Sequence, residues 1–287
     1  MRRKNIKGKC RICGKIGSLT YEHIPPRKAF NSNKAFIHMG EDILKQDSLG
    51  FPWGLPKSKG KQVQRGIGGY TLCGKCNNDT GRWYGNVFVD FVHKGYRETH
   101  NKKYINNSWA TITLDEIYPL RIIKQIMAMF FSINTPNLSD AHEELREFVL
   151  SKEKRGISEK DFGFYLYILR GIILKRLGII VIGNIYSDPF KSRVVSELST
   201  PPFGLVLEFQ PKEKSGFCDI TFFANEFDYD QKSTIKLKIP VYESNSWFPL
   251  DYRTREQMIN DYIKNRIDSM VNRKLRNLKK LKKIEKK

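Results

Sequence analysis

The chain lacks the long apolar runs that would place it in a membrane. In 287 residues there is no uninterrupted stretch of about 18 apolar side chains, so no spanning helix is expected. The first residues, Met1-Arg2-Arg3-Lys4-Asn5-Ile6-Lys7, have no apolar core behind their charges. A secretory leader is therefore not expected, and a reducing cytoplasmic setting is. Internal repeats are absent, and low complexity is confined to a basic tail. Acidic residues are in short supply, 30 against 51 lysines and arginines, giving a net charge of +21 and an isoelectric point near 9.7. Such a balance favours a polyanionic partner and disfavours a cationic one. Histidine and cysteine are both scarce, at five each. Their placement carries most of the chemical information.

Four of the five cysteines form two CxxC pairs, Cys10-Arg-Ile-Cys13 and Cys73-Gly-Lys-Cys76. Each pair makes a knuckle whose two sulfurs can face one ion, and two knuckles complete a tetrahedral thiolate set, so structural zinc is the expectation. Two disulfides, or four buried thiols without metal, are the alternatives; disulfides would require an oxidising compartment. Cys218 stands alone in an apolar stretch and reads as a core thiol.

The 59 residues between the pairs hold Leu19-Thr20-Tyr21-Glu22-His23-Ile24, which alternates like a strand and is stopped by Pro25-Pro26. His23 then lies at a strand end beside a turn. From about Arg27 to Tyr70, the density of Gly, Pro, Lys and Asn predicts a long surface loop. After Cys76, Trp83, Val87, Phe88, Phe91 and Val92 recur at helical spacing, interrupted by Gly81 and Gly85, with the helix expected to open at Asn77 and Asp79. His38, His93, His100 and His142 have no partners at ligand spacing and read as surface or structural residues.

The order of these elements resembles the HNH, or ββα-metal, nucleases: a CxxC pair, an acid followed by His and soon after Pro, then a second CxxC followed directly by His or Asn. Here it is Cys10–Cys13, Glu22-His23-Ile24-Pro25-Pro26, and Cys73–Cys76-Asn77. The resemblance covers about the first 95 residues. It implies a zinc-stabilised, treble-clef-like ββα domain and an endonuclease, with His23 as general base. Glu22 and Asn77 would be oxygen ligands of a catalytic magnesium or manganese, with Asp79 an alternative ligand. Arg27, Lys28, Lys75 and Arg82 would contact phosphates, on DNA in preference to RNA. Restriction or antiviral defence is the setting the resemblance implies. A protein of this pattern that binds DNA or RNA without cutting it is the alternative. The sequence also departs from the family pattern. A bracing Asn is common nine positions before the last ligand, where this chain has Gly68, so either bracing falls to the backbone of Arg65-Gly66-Ile67-Gly68-Gly69-Tyr70 or the active site has decayed.

The remainder reads as a second α+β region. The expected division is a zinc-binding domain over 1–97, a linker over 98–108, an α+β domain over 109–255 and a basic amphipathic helix over 256–287. Tyr118-Pro119 opens a helix carrying Leu120, Ile123, Ile126, Met127 and Phe130 on one face. A second helix is expected from Asp140 to Lys152. Strands are expected at 164–169, 179–185, 194–198, 204–209, 219–223 and 235–241, forming an antiparallel sheet. This region shows no motif with chemical meaning; target selection, sensing of a signal, and homodimer formation or binding of a partner protein are its candidate uses. The tail, with Arg273, Lys274, Arg276, Lys279, Lys280, Lys282 and Lys283 between Val271, Leu275, Leu278 and Leu281, is a candidate to lie on nucleic acid or a partner helix.

Overall fold

A computed structural model describes residues 6–40, 60–101, 108–171, 173–183, 192–211, 216–246, 248 and 250–284. The fold is mixed α+β with antiparallel sheets and a cluster of four cysteines near the N-terminus.

The N-terminal part is built on a hairpin. Strand β1 (Ile6–Lys9) turns through the first cysteine pair into β2 (Ile16–His23), and β5 (Gly68–Cys73) adds to the other edge of β2, giving the order β1-β2-β5. The expected loop over 27–70 is not all loop. It contains a two-stranded arm of β3 (Ala35–Ile37) and β4 (Lys61–Val63), strands of three residues that leave too little alternation to read. Helix α1 (Gly74–Thr80) begins before the expected start at Asn77, because Cys73 is its cap: the Cys73 sulfur accepts the Cys76 N–H at 3.5 Å. A wide π-helical turn over Gly81–Gly85 leads into α2 (Asn86–Asn101), so the two glycines that interrupt the helical pattern bound a change of pitch within a continuing helix. The expected linker thus starts inside α2, and its residues 102–107 lie outside the described ones.

The second part is centred on α3 (Pro119–Ile133), whose proline occupies the first turn as the sequence predicts. Nearly every side chain of α3 is buried, since one flank meets the sheet and the other meets the N-terminal part. Strand β6 (Trp109–Ile117), missed in the sequence, pairs with β12 (Ser233–Glu243). The sheet continues through β7 (Phe162–Arg170), β10 (Phe203–Phe209), β9 (Arg193–Thr200) and β8 (Arg176–Ile182), in the order β6-β12-β7-β10-β9-β8. The expected helix at 140–152 is two short ones, α4 (Asn137–Ala141) and α5 (Glu143–Leu150), separated at His142. The strand expected over 219–223 is corrected as well. Only Cys218–Asp219 (β11) pairs with β7; Thr221 then leads into α6 (Phe222–Asn225), which tucks Phe223 and Ala224 into the core. The terminal helix α7 (Arg255–Ile284) is present as expected. No described helix is long and apolar enough to cross a membrane.

One apolar cluster joins Ile12, Leu72, Tyr84 and Phe88 of the first part to Ile123, Phe148 and Phe203 of the second. Polar ties reinforce it: Arg11 donates to the Ser132 carbonyl at 2.6 Å and the Tyr84 hydroxyl to the Val149 carbonyl at 2.9 Å. The buried Lys124 ammonium donates to the carbonyls of Phe148, Ser151 (2.8 Å) and Lys154 (2.7 Å), so its three protons are spent on the end of α5 and the segment that follows it.

Candidate active site beside a four-cysteine cluster

The first knuckle sits in the β1–β2 turn and the second at the start of α1, and the β2–β5 ladder brings them together. The sulfurs of Cys10, Cys13, Cys73 and Cys76 all lie within 4.8 Å of one another, with Cys13 and Cys73 at 3.9 Å. A tetrahedral zinc with bonds of about 2.3 Å requires sulfurs about 3.8 Å apart, so the set fits such an ion. All four are free thiols. Pairing with Cys76 lowers the Cys10 thiol from its ordinary value, and the same pairing, together with burial, raises Cys76. Four sulfurs this close share protons poorly, and a cation such as zinc resolves the crowding.

Next to the cluster, where β2 ends and the π-turn begins, lies an open cleft of about 320 Å³. Glu22, His23, Arg27, Lys28 and Asn77 all line it, so five residues picked from the sequence meet in one place. Lys75 and Arg82 do not line it; both pair with Asp79, at 2.6 and 3.2 Å, which also occupies the alternative ligand. Arg27 and Lys28 are exposed at the rim.

His23 Nε2 lies 3.0 Å from the Arg65 carbonyl oxygen. A carbonyl only accepts, so Nε2 carries the hydrogen, and in the neutral ring Nδ1 is then the nitrogen with the lone pair. Strand alternation puts the Tyr21 ring on the same side, edge-on to the imidazole at 5.3 Å. Asn77 directs Nδ2 at Thr20 Oγ1 (2.9 Å) and the Tyr21 carbonyl (3.5 Å), which leaves its amide oxygen as the end not used in these bonds. Glu22 is more deeply placed. Its carboxyl accepts from the Thr71 hydroxyl, and burial pushes it up to about 7, against the opposing pull of the Ser132 and Thr71 hydroxyls and of Arg176. It is therefore at once a cleft residue and a link between the two parts of the chain. As oxygen donors, Glu22 and Asn77 suit a hard divalent ion such as magnesium or manganese.

Two residues that shape the site, one behind the cleft and one in its wall, were not found from the sequence. Asn31 is buried and makes three bonds: Nδ2 to the carbonyls of Pro25 (2.6 Å) and Ile67 (2.7 Å), and Oδ1 from the Ile67 N–H (2.7 Å). It clamps the turn after His23 to the segment that holds Arg65, the bracing that Gly68 cannot supply. The Ile24 N–H adds a backbone bond to the Ile67 carbonyl at 3.0 Å. Glycine is required here by close approach. A β-carbon on Gly66, whose φ is +87°, would fall 1.9 Å from the Asn31 carbonyl oxygen, and one on Gly68 would fall 2.1 Å from that of Glu22. The second is Gln125 of α3, whose Oε1 is buried at the cleft wall with no hydrogen-bond partner among the described residues. No short-range pattern marks either residue; both act across the fold.

Comparison with protein-family models, curated proteins and solved structures returned no match for this chain. The functional reading therefore rests on the site.

Proposed function

We propose that the chain is a metal-dependent endonuclease of HNH type that hydrolyses phosphodiester bonds of DNA. The observation that carries this reading is the meeting of His23, Glu22 and Asn77 in one cleft against the cysteine cluster, with the imidazole tautomer set by the Arg65 carbonyl. His23 Nδ1 takes a proton from a water, the resulting hydroxide attacks phosphorus, and the bond to the 3′ oxygen breaks, leaving a 5′ phosphate and, once protonated, a 3′ hydroxyl. Arg27 and Lys28 hold the flanking phosphates at the rim. Glu22 and Asn77 are the residues that would hold magnesium or manganese, and such an ion supplies neutralisation of the charge that develops at the phosphate. Zinc in the four-cysteine cluster is structural: it pins the hairpin to α1 so that His23 and Asn77 stay in reach of each other.

A second reading is favoured by the engagement of Glu22 with Thr71, which competes with ligation: a zinc-held protein that binds DNA or RNA without cutting it. Incubating the protein with supercoiled plasmid and magnesium or manganese, beside His23→Ala and Asn77→Ala, separates the two. Nicking or linearisation that both variants lose supports the nuclease. A wild-type protein that retards plasmid on a gel yet leaves both plasmid and single-stranded DNA intact under every metal refutes it.

A further inference from the structure

Beyond the cleft, one face of α2 carries a row of rings. Asn86 and Val89 line the cleft, and His93, Tyr96 and His100 follow on the same face: at 100° per residue all five fall within an arc of about 80°, turned away from the core face of Phe88, Phe91, Val92 and Gly95. Phe30, from the turn that follows Arg27 and Lys28, stacks on His93 with centroids 4.9 Å apart and planes at 16°, and leans on Tyr96 at 4.9 Å. His100 stacks on Tyr96 at 4.9 Å and 17°. His93 Nε2 bonds the Lys28 carbonyl at 2.8 Å, which ties the row to the cationic rim. These rings do not serve the core: Phe30 is 40% and Tyr96 39% exposed. Phe30 also sits at φ +57°, a conformation that costs a residue with a β-carbon on the order of 1 kcal/mol, so strain is tolerated to hold an exposed ring. Exposed Arg97 lies along one edge of the row and Arg27 and Lys28 at its cleft end.

We infer that this row is a track for single-stranded nucleic acid leading into the cleft. Bases within a duplex stack on each other and offer only their edges, whereas unpaired bases offer faces that aromatic rings and guanidinium planes accept. Flanking cations take the phosphates. From Asn86 to His100 the helix advances about 20 Å, room for on the order of four nucleotides. The inference deepens the nuclease reading by naming its substrate class, a single strand or a duplex with an unpaired tail, but it concerns binding and stands apart from cleavage.

The test is fluorescence anisotropy of the full chain with a labelled oligothymidine and with a blunt hairpin duplex, without added magnesium or manganese, across a salt series. The expected result is tighter binding of the single strand, weakened about tenfold or more by Tyr96→Leu and by Phe30→Leu. Tyr96→Phe, which keeps the ring, should bind like the wild type, and duplex affinity should be unmoved. Equal or tighter binding of the duplex overturns the inference, as does a Tyr96→Leu affinity within twofold of wild type or capture of neither probe. Cleavage assays on plasmid and on single-stranded DNA with magnesium or manganese keep the two readings apart: single-strand binding by a protein that cuts neither substrate defeats the nuclease and leaves the track standing. Cleavage of duplex with no single-strand preference does the reverse.

Discussion

Removing the Asn31 side chain tests whether the histidine is held by a clamp far from it in sequence. Asn31→Ala deletes three hydrogen bonds, a buried one to Pro25 and two part-buried ones to the carbonyl and N–H of Ile67. The Ile67 carbonyl keeps the Ile24 N–H, but the Ile67 N–H and the Pro25 carbonyl lose the partner that Asn31 gave them. At about 1 kcal/mol for each bond, and more for a buried group left unsatisfied, the loss is about 3 kcal/mol. In a chain of this size that lowers the melting temperature by roughly 5 °C. Catalysis should fall further than stability implies, on the order of tenfold to a hundredfold in kcat at a temperature where the variant is fully folded. The reason is that the Arg65 carbonyl then no longer holds the imidazole in one orientation. Asn31→Asp sharpens the test. It keeps the acceptor for the Ile67 N–H but turns a carboxylate oxygen toward two carbonyl oxygens, so it should be less stable than Asn31→Ala despite the closer match in size. Denaturant melts of the two variants, with zinc content measured alongside, give the answer. If Asn31→Ala unfolds within about 0.5 kcal/mol of wild type, or Asp proves milder than Ala, the clamp is not what holds the loop.

Three further predictions follow from the same geometry. Gly68→Asn should destabilise the protein, and on the proposed function abolish DNA cleavage, because its β-carbon would meet the Glu22 carbonyl oxygen; unchanged stability or a gain of activity would refute the close approach. Replacing Cys73 with Ser should lower zinc bound per chain, read by elemental analysis, and loosen α1, whose cap is the same sulfur. Glu22 sets a pH dependence: its folded-state value near 7 lies above the ordinary 4.5, so the native protein holds this proton longer than the unfolded chain does. Its contribution therefore favours folding below pH 4.5 and is lost as pH rises to 7, by at most about 3 kcal/mol. Glu22→Gln should flatten that stretch of the stability–pH curve measured without added magnesium or manganese, and an unchanged slope would show that the carboxyl is not buried as described.

Some of this protein can be read along the chain because the cause is local. The CxxC spacing dictates a knuckle wherever it falls, Pro119 followed by Leu120, Ile123 and Ile126 dictates a buried helix from its first turn, and Pro25-Pro26 ends β2 just after His23. Elements of two or three residues, such as β3, β4 and β11, carry too few alternations to separate from loop, and the start of α1 was hidden because the capping atom is a sulfur that reads first as a metal ligand.

The cleft was settled by contacts between residues distant in sequence. Asn31 reaches Ile67, Gln125 of α3 forms part of the wall, Phe30 lies on His93, and Glu22 is drawn toward Thr71 and away from a purely ligand-like setting. Residue type and spacing select which side chains are chemically able to act. Which of them meet, and which are occupied by a neighbour, depends on how sheet and helices close over one another, and that packing has no signature within any short window of the chain.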